Sequence, residues 1–516
     1  MNYADLLRVT WPETALEITA LIVLIVDLGI LRRSTLRLRV AGSAVLGVIG
    51  CGVALMTIPL QAQGGLNFPG SDQLLLAVGG STAVAQVAIL ALTVLTLLLL
   101  FNSTFTRNVG EFVAVTLMSA TGGLVIAAAQ DLLVIFIGLE LLSLGLYILT
   151  AFAKKSGKSA EAAMKYYLFG GMSAAFLLFG FSYLYGITGS TNLHRIMLGL
   201  YSSNAAQAAP LLYVALVMIA AGLGFKVAAV PFHFWAPDTY EGAPAPAAAF
   251  IASVSKVASF ALLISIGTAT LHVFDGMTSR ISVSVGLHLH EPQPIYLGFQ
   301  SAWMEILTVL AVASMVLGNL AALAQRSVRR LLAYSAIAHA GYILLALACF
   351  SRTPVSAQAV MYYILTYGLT TIGAFGVVGA VERASGSDEM DAFAGLHRRN
   401  PILAAILLVL FLSLAGIPPL VGFWAKFNLF AAVLGVSKGV VPFALVALAI
   451  AMSAVSLYYY LQVLKRAYVT PALDDSKIAV PPVTLTALLF IALWVVMMGV
   501  FPAILQTWME SFYAVM

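Results

Sequence analysis

Long runs of apolar residues follow one another along the chain, separated by short polar segments. A helix of about 18 to 25 apolar residues spans the hydrocarbon core of a bilayer, and fourteen such runs are present. They begin near residues 12, 40, 79, 112, 131, 162, 210, 245, 301, 331, 357, 401, 441 and 481. The pattern predicts an all-α polytopic membrane protein with about 14 transmembrane helices.

Two of these runs contain helix-breaking residues beside a lysine. The seventh holds Lys226 and Pro231, and the twelfth holds GIPPLVGFWAKF, which ends with Lys426 and Phe427. Proline interrupts the hydrogen bonding of a helix, so we expect broken helices 7 and 12. An offset of five helices reverses the membrane direction, so spans 4–8 and 9–13 are predicted to be inverted five-helix repeats, a pattern typical of transporters.

The predicted spans divide the chain into four segments. Residues 1–105 hold the first three spans, 106–275 the first repeat, 276–470 the second repeat and 471–516 the last span. The chain is 61% hydrophobic and 9% charged, whereas a soluble domain is about a quarter charged. No segment between spans is long enough for a soluble domain, and the basic pI reflects membrane topology, with no nucleic-acid partner expected.

The distribution of basic residues predicts the orientation. If the N-terminus lies outside, the cytoplasmic loops contain eighteen of the 26 lysine and arginine residues and the outer loops and termini five. This asymmetry follows the positive-inside rule. We therefore expect a multi-pass protein of the bacterial inner membrane with both termini on the periplasmic face.

Four ionisable residues lie well inside apolar spans. They are Glu140, Lys226, Lys256 and Lys426, and each costs about 2.5 to 3.5 kcal/mol at the bilayer centre. A carboxylate beside a lysine favours the charged amine, whereas desolvation favours the neutral one. A Glu140–Lys226 pair could therefore load and release protons. The alternatives are a structural carboxylate at 140 and lysines 256 and 426 that extend towards an interface.

Other polar positions give weaker signals. His339 lies mid-span with Ser335 and Tyr342 at helical spacing, so it either relays protons or bonds a neighbouring carbonyl. The run Tyr458–Tyr460 predicts an interfacial aromatic belt. A long loop with three histidines is expected over Leu271–Gln300.

The chain lacks the sequence features of a redox protein. It has two cysteines, Cys51 and Cys349, both within apolar runs, and no CxxC, GxGxxG or GxxxxGK[ST] motif. Iron–sulfur clusters generally need four thiolates. We expect no cofactor to be bound by this chain.

Several segments together resemble a known family. They are GLELLSLGLYILTAF, AMKYYLFGGMSAAFLLFGFSYLYG, VPFHFWAPDTYEGAPAPAAAFIASVSKVA, RRLLAYSAIAHAGYILL and AGIPPLVGFWAKF. In this order, from about residue 105 to 470, they are similar to the antiporter-like membrane subunits of NADH-quinone oxidoreductase, respiratory complex I.

The resemblance implies a proton path along the membrane midplane. Glu140 matches the family's glutamate of span five, Lys226 the lysine of the first broken helix, Lys256 the connecting lysine of span eight and Lys426 the lysine of the second broken helix. It also implies L-, M-, K-, J-, A- and H-like partner subunits, which together with further partners of the complex carry NADH, quinone, FMN and iron–sulfur chemistry.

Within the family the similarity is nearest to the N type. The M type usually has glutamate where this chain has Lys426, and the L type continues into a long lateral helix, whereas this sequence stops at Met516. Two other classes share the buried lysines: a subunit of a multi-subunit sodium/proton antiporter, and a membrane subunit of an energy-converting hydrogenase-like complex. The expected function is proton translocation driven by electron transfer in partner subunits.

Overall fold

The computed structural model of the protein describes residues 3–61, 65–67, 74–101, 103–200, 208–283, 294–349, 354–436, 439–472 and 476–513. Helices account for most of these residues. Those of the N-terminal segment are α1 Tyr3–Val9, α2 Trp11–Ile25, α3 Leu36–Thr57 and α4 Gly80–Leu98, with a π turn at Val26–Ile30, a 3-10 turn at Ile58–Leu60 and the short antiparallel strands β1 Leu66–Asn67 and β2 Leu74–Leu76.

The first predicted repeat contains seven helices in its described part. They are α5 Val109–Ala128, α6 Leu132–Thr150, α7 Gly157–Thr188, α8 Leu193–Leu200, α9 Ala209–Val227, α10 Trp235–Gly242 and α11 Ala245–Val283. Side chains fix where two of them begin: Asp131 accepts a hydrogen bond from the Leu133 amide at the start of α6, and Ser156 accepts one from the Ser159 amide at the start of α7. Such N-caps satisfy amides that have no partner within the helix.

The remainder of the chain continues the helical pattern. Its elements are α12 Pro294–Leu323, α13 Val328–Ala348, α14 Pro354–Ser385, a 3-10 turn at Met390–Phe393, α15 Leu396–Arg399, α16 Pro401–Ala415, α17 Val421–Val436, α18 Val440–Tyr468, α19 Pro482–Val500 and α20 Pro502–Tyr513. Ser327 and Asn400 cap the first turns of α13 and α16.

The helices are long and apolar enough to form a membrane bundle. In the described part of the chain, twelve helices are at least 18 residues long and apolar enough to cross a membrane. The first predicted span is the shorter α2, and the twelfth is divided between α16 and α17. The all-α membrane fold is confirmed, whereas the count of fourteen and the inverted repeats stay predictions.

Burial separates central from peripheral helices. In α13 and α14, 94% of the most apolar 18-residue stretch of the helix is buried, whereas in α18 the share is 17%. The corresponding stretch within Ala245–Ala269 of α11 is buried throughout. These parts of α11, α13 and α14 therefore meet protein on all sides, and α18 presents most of its surface outwards. Of the four ionisable residues singled out in the sequence, Lys256 lies on α11 itself, and the other three lie on helices that contact this central group.

The prediction of a loop over Leu271–Gln300 is wrong for most of this segment, and that part is helical. Helix α11 continues to Val283 and α12 begins at Pro294, while residues 284–293, with His288 and His290, lie outside the described residues. No proline occurs between Pro246 and Pro292 to stop the helix. The boundary expected at residue 275 consequently falls inside α11.

The expected aromatic belt at Tyr458–Tyr460 is also wrong. Only Tyr458 is exposed, while Tyr459 and Tyr460 are buried. Tyr459 Oη donates to Asn319 Oδ1 at 3.2 Å, and Tyr460 Oη pairs with Ser335 Oγ. Three consecutive residues cover 200° of a helix, so they cannot all face one side.

Candidate functional site

The first interruption of the bundle lies at the end of α9. This helix stops at Val227, Ala228 takes a left-handed conformation with φ +57°, and the Val230–Pro231 peptide is cis. The chain turns through residues 228–234 before α10 begins. The Val230 amide donates to Ser314 Oγ of α12 at 2.9 Å, so a side chain from the second predicted repeat satisfies one of the polar groups that the interruption frees.

Lys226 lies in the last turn of α9 and contacts Glu140. Its Nζ is 3.7 Å from Glu140 Oε1 and donates to Ser143 Oγ at 2.5 Å. The Lys226 side chain is 7% exposed and that of Glu140 26%. The predicted pair is therefore close in space, with the amine inside the bundle and the carboxylate towards its surface.

Lys256 of α11 is buried and meets the same helix end. Its Nζ donates to the carbonyl oxygen of Val227, the residue next to Lys226. This carbonyl is one of those at a helix C-terminus that lack an intrahelical partner, and the negative end of the helix dipole favours a cation there. The amine of Lys256 thus contacts the backbone of the residue that follows Lys226.

The second interruption lies between α16 and α17. Gly416 has φ +88°, a conformation that glycine adopts without strain, and the Pro418–Pro419 peptide is cis. At Gly422, a Cβ would lie 1.9 Å from the Ser413 carbonyl oxygen, so only glycine permits the two half-helices to approach this closely. The residues of GIPPLVGFWAKF therefore produce a sharply broken span.

Lys426 follows this interruption and points back to it. Its Nζ donates to the carbonyl oxygens of Leu414 at 3.1 Å and Ala415 at 2.9 Å, and to Ser453 Oγ at 2.8 Å. The Nζ also lies 5.5 Å from the centre of the Tyr342 ring, within range of a cation–π contact. Lys256 and Lys426 thus make the same contact, each with the carboxyl end of an interrupted helix.

His339 lies between these two groups in the chain and close to the second in space. Its Nδ1 is 2.8 Å from Tyr363 Oη, whereas Nε2 has no hydrogen-bond partner among the described residues. A cavity of about 10 Å³, enough for about one water, is lined by His339, Tyr363, Ser413 and Gly422 among others. His339 therefore shares a cavity with the helix break that precedes Lys426.

Three hydroxyl groups of this site were not predicted from the sequence. Ser143, Ser453 and Tyr363 contact Lys226, Lys426 and His339 respectively. Ser143 could have been found, because it lies three residues after Glu140 and so on the same face of α6. Ser453 and Tyr363 come from other helices, and nothing in the sequence relates them to their partners.

These contacts bring together buried lysine, histidine and hydroxyl groups that can exchange protons. Lysine, glutamate and histidine change charge by gaining or losing one proton, and hydroxyls and a water can carry it between them. No group of three or more histidine, cysteine, aspartate or glutamate side chains suited to a metal ion occurs in the described ranges. The arrangement fits a membrane protein that moves a small cation, and the proton most simply.

Comparison with known proteins agrees with this class. The family described as NADH:quinone oxidoreductase/Mrp antiporter, TM matches residues 129–287 and 277–453. The chain is 47% identical over 523 residues to NADH-quinone oxidoreductase subunit N 2 of Acidobacterium capsulatum, covering 99% of each chain. The chain therefore belongs to the family of NADH-quinone oxidoreductase subunit N.

Solved structures share the fold. A chain of respiratory complex I from Thermus thermophilus with bound aureothin is 32% identical, with a TM-score of 0.74 and coverage of 96% of this chain and 98% of that one. A chain of the Mrp complex from Dietzia sp. has a TM-score of 0.76 at 20% identity, covering 97% of each chain. The second likeness concerns the fold alone.

Proposed function

We propose that the chain is a proton-translocating membrane subunit of an NADH-quinone oxidoreductase. The observation that carries this proposal is the pair of buried lysines, Lys256 and Lys426, each bonded to the carboxyl end of an interrupted helix. A buried amine with backbone carbonyl acceptors is stabilised when it is charged, yet its burial also makes the neutral form accessible. Small changes in nearby charge can then decide whether it holds a proton.

The Glu140–Lys226 pair provides such a change. At 3.7 Å the carboxylate stabilises the ammonium group of Lys226. When Glu140 moves away or takes up a proton, Lys226 keeps the neutral Ser143 hydroxyl and the Phe225 ring as partners but no carboxylate among the described residues, and its proton is released. Lys256, which bonds the carbonyl oxygen of the residue next to Lys226, responds in this proposal to the loss of that charge. Electrostatic change can therefore pass from the surface of α6 to the centre of the bundle.

The second half of the path involves His339 and Lys426. His339 Nε2 has no partner in the described part of the chain, and the adjoining cavity has room for about one water. We propose that His339 and this water connect the central helices with Lys426, which holds the proton before its release. Residues 106–275 and 276–470 act in this proposal as two repeats joined through Lys256.

A partner subunit is expected on the Glu140 side of the bundle. The Glu140 side chain is about a quarter exposed, and around it α6 presents large apolar side chains outwards: Leu133, Ile137, Leu144 and Ile148. A carboxylate facing lipid at this depth would be costly. We propose that another membrane subunit covers this face, among L-, M-, K-, J-, A- and H-like chains, and that its approach or withdrawal changes the charge on Glu140.

The electron-transfer chemistry is assigned to other subunits. NADH, FMN, iron–sulfur clusters and quinone would be bound by partner subunits of the complex, and this chain would bind none of them. The proposed location is the bacterial inner membrane, with both termini on the periplasmic face, as the excess of basic residues in the cytoplasmic loops indicates.

Purification of the complex from its native membrane tests this function. A tagged chain should copurify with NADH-oxidising subunits, and NADH-driven quinone reduction should acidify the interior of inverted vesicles. Lys256→Met should assemble and lose most of this acidification, whereas Lys465→Met, at an exposed position of α18, should not. Recovery without NADH-oxidising subunits would favour an antiporter complex, and full pumping by Lys256→Met would contradict the proposed path.

A further inference from the structure

A cluster of ion pairs holds α10 against two other helices. Arg330 Nη1, from α13, lies 2.6 Å from Asp238 Oδ1 and 2.9 Å from Glu241 Oε2, both on α10. From α7, Lys165 Nζ lies 2.7 Å from Asp238 Oδ2 and Lys158 Nζ 2.9 Å from Glu241 Oε1. Each carboxylate therefore bridges α7 and α13.

The contribution of the four pairs is unequal. The Lys158 side chain is 72% exposed, and Lys165 is shared with Glu161 at 2.7 Å, so solvent and competition weaken both lysine contacts. The Arg330 side chain is 30% exposed and bonds both carboxylates. Because its guanidinium keeps its charge and presents its donors in a fixed planar fork, Arg330 is the central member of the cluster.

The carboxylates of α10 are in their charged forms. Partial burial raises the pKa of Asp238, but hydrogen bonds from Lys165 and Arg330 outweigh it and hold that pKa below its ordinary value. The pKa of Glu241 is likewise lowered, because bonds from Lys158 and Arg330 outweigh burial. Four of these residues, Lys158, Asp238, Glu241 and Arg330, line a cavity of about 170 Å³, which has room for water beside the cluster.

Helix α10 begins directly after the first interruption, so the cluster that holds α10 also bears on the position of that interruption. The turn 228–234 connects α10 to Val227, whose carbonyl oxygen accepts the bond from Lys256. On the other side of the cluster, Arg330 and His339 both lie on α13. They are nine residues apart, or roughly 14 Å along the helix. The Arg330 guanidinium therefore joins α10 to the helix that carries His339, and the turn 228–234 connects α10 to the helix end that Lys256 contacts.

We propose that Arg330 is a positioning residue for proton transfer, which holds the first helix interruption in register with α13 so that Val227 meets Lys256. The effect on proton transfer rests on the proposed function, whereas the effect of Arg330 on the position of the turn 228–234 does not. Arg330 touches none of the groups that exchange protons. Its effect is transmitted through α10 and the turn that follows α9.

The test uses the assembled complex and four variants. Arg330→Gln removes the positive charge, Arg330→Lys restores a point charge, Asp238→Asn removes the negative charge of the carboxylate nearest to Arg330, and Arg330→Gln/Asp238→Asn removes both charges. The matched control is Arg326→Gln, an exposed arginine four residues earlier that has no side-chain hydrogen bond or ion pair among the described residues. Hydrogen exchange over residues 228–234 and proton uptake per quinone reduced are measured for each, after assembly is checked on native gels.

Arg330→Gln should speed exchange over 228–234 and lower proton uptake per quinone by about two- to thirtyfold, the range for mutations along a coupling network. Arg330→Lys should recover part of both. The losses in the double variant should fall short of the sum of the two single losses, because the Arg330–Asp238 contact is already broken in each single variant and only the Lys165 and Glu241 contacts differ between them. Exchange and uptake equal to those of Arg326→Gln, or additive losses, would overturn the proposal. If the unmodified complex moved no protons, the proposed function would fail, while the exchange comparison would still decide whether Arg330 holds the interruption.

Discussion

Removal of the Glu140 carboxylate should change the behaviour of Lys226 more than that of any other lysine. In Glu140→Gln the ammonium group of Lys226 loses its carboxylate partner and keeps the hydroxyl of Ser143. We expect this variant to assemble and to pump protons slowly. Lys226→Ala should show a similar defect, and the double variant should be little worse than either single one.

The size of the effect follows from the distance between the charges. Two unit charges 3.7 Å apart interact by about 4 to 5 kcal/mol at an effective dielectric constant of about 20. Because about a quarter of the Glu140 side chain is exposed, solvent reduces this value, and interaction energies of about 0.5 to 3 kcal/mol are typical of residues in one network. The double-mutant cycle should therefore depart from additivity by at least about twofold.

The assay is NADH-driven proton uptake by inverted vesicles, measured for the unmodified complex, both single variants and the double variant. Quinone reduction is recorded in the same samples, and rates are divided by the amount of assembled complex. Glu161→Gln is the matched control, since this glutamate is exposed and pairs only with Lys165 among the described residues. Strictly additive losses would mean that Glu140 and Lys226 do not act as a pair.

Three further outcomes are expected. Asp238 and Glu241 have lowered pKa values in the folded protein, so their ion pairs stabilise it fully above about pH 5 and are lost as the pH falls through the lowered values. Protection against hydrogen exchange over 228–234, corrected for the intrinsic pH dependence of amide exchange, should therefore be equal at about pH 6 and about pH 7.5, and weaker protection at the lower pH would contradict this. Asp27→Asn leaves Arg39 without its partner at 2.5 Å and should cost about 3 kcal/mol, near the lower end for a broken buried pair because Arg39 is partly exposed; an unchanged thermal transition of the purified complex would refute it. A tag after the last residue should be reached by protease added to whole spheroplasts, and protection of the tag would place that terminus inside.

The sequence was sufficient to predict the class of fold and the main ionisable groups. Charges inside apolar runs are rare enough to stand out, so Lys226, Lys256 and Lys426 could be selected without a structure. Prolines at the two breaks predicted where α9 and α16 end. These signals are local, since each depends only on residues close together in the chain.

The contacts of those groups were not predictable in the same way. Lys256 bonds the Val227 carbonyl, 29 residues away, and a backbone acceptor has no sequence signature. The inward side chains of Tyr459 and Tyr460 depend on Asn319 and Ser335, which lie on other helices. Periodicity shows that a residue lies on some face of a helix, but packing of distant helices decides what that face meets.

The most direct test of the account is proton uptake by the complex that carries Lys426→Arg. Arginine keeps a positive charge beside the Leu414 and Ala415 carbonyls but does not release its proton, so it separates the presence of the charge from its exchange. The account predicts normal assembly with uptake per complex far below the unmodified rate, while Lys465→Arg, at an exposed position, pumps normally. Uptake by Lys426→Arg at the unmodified rate would show that Lys426 is a structural cation at the end of α16, and the proton path proposed here would be wrong.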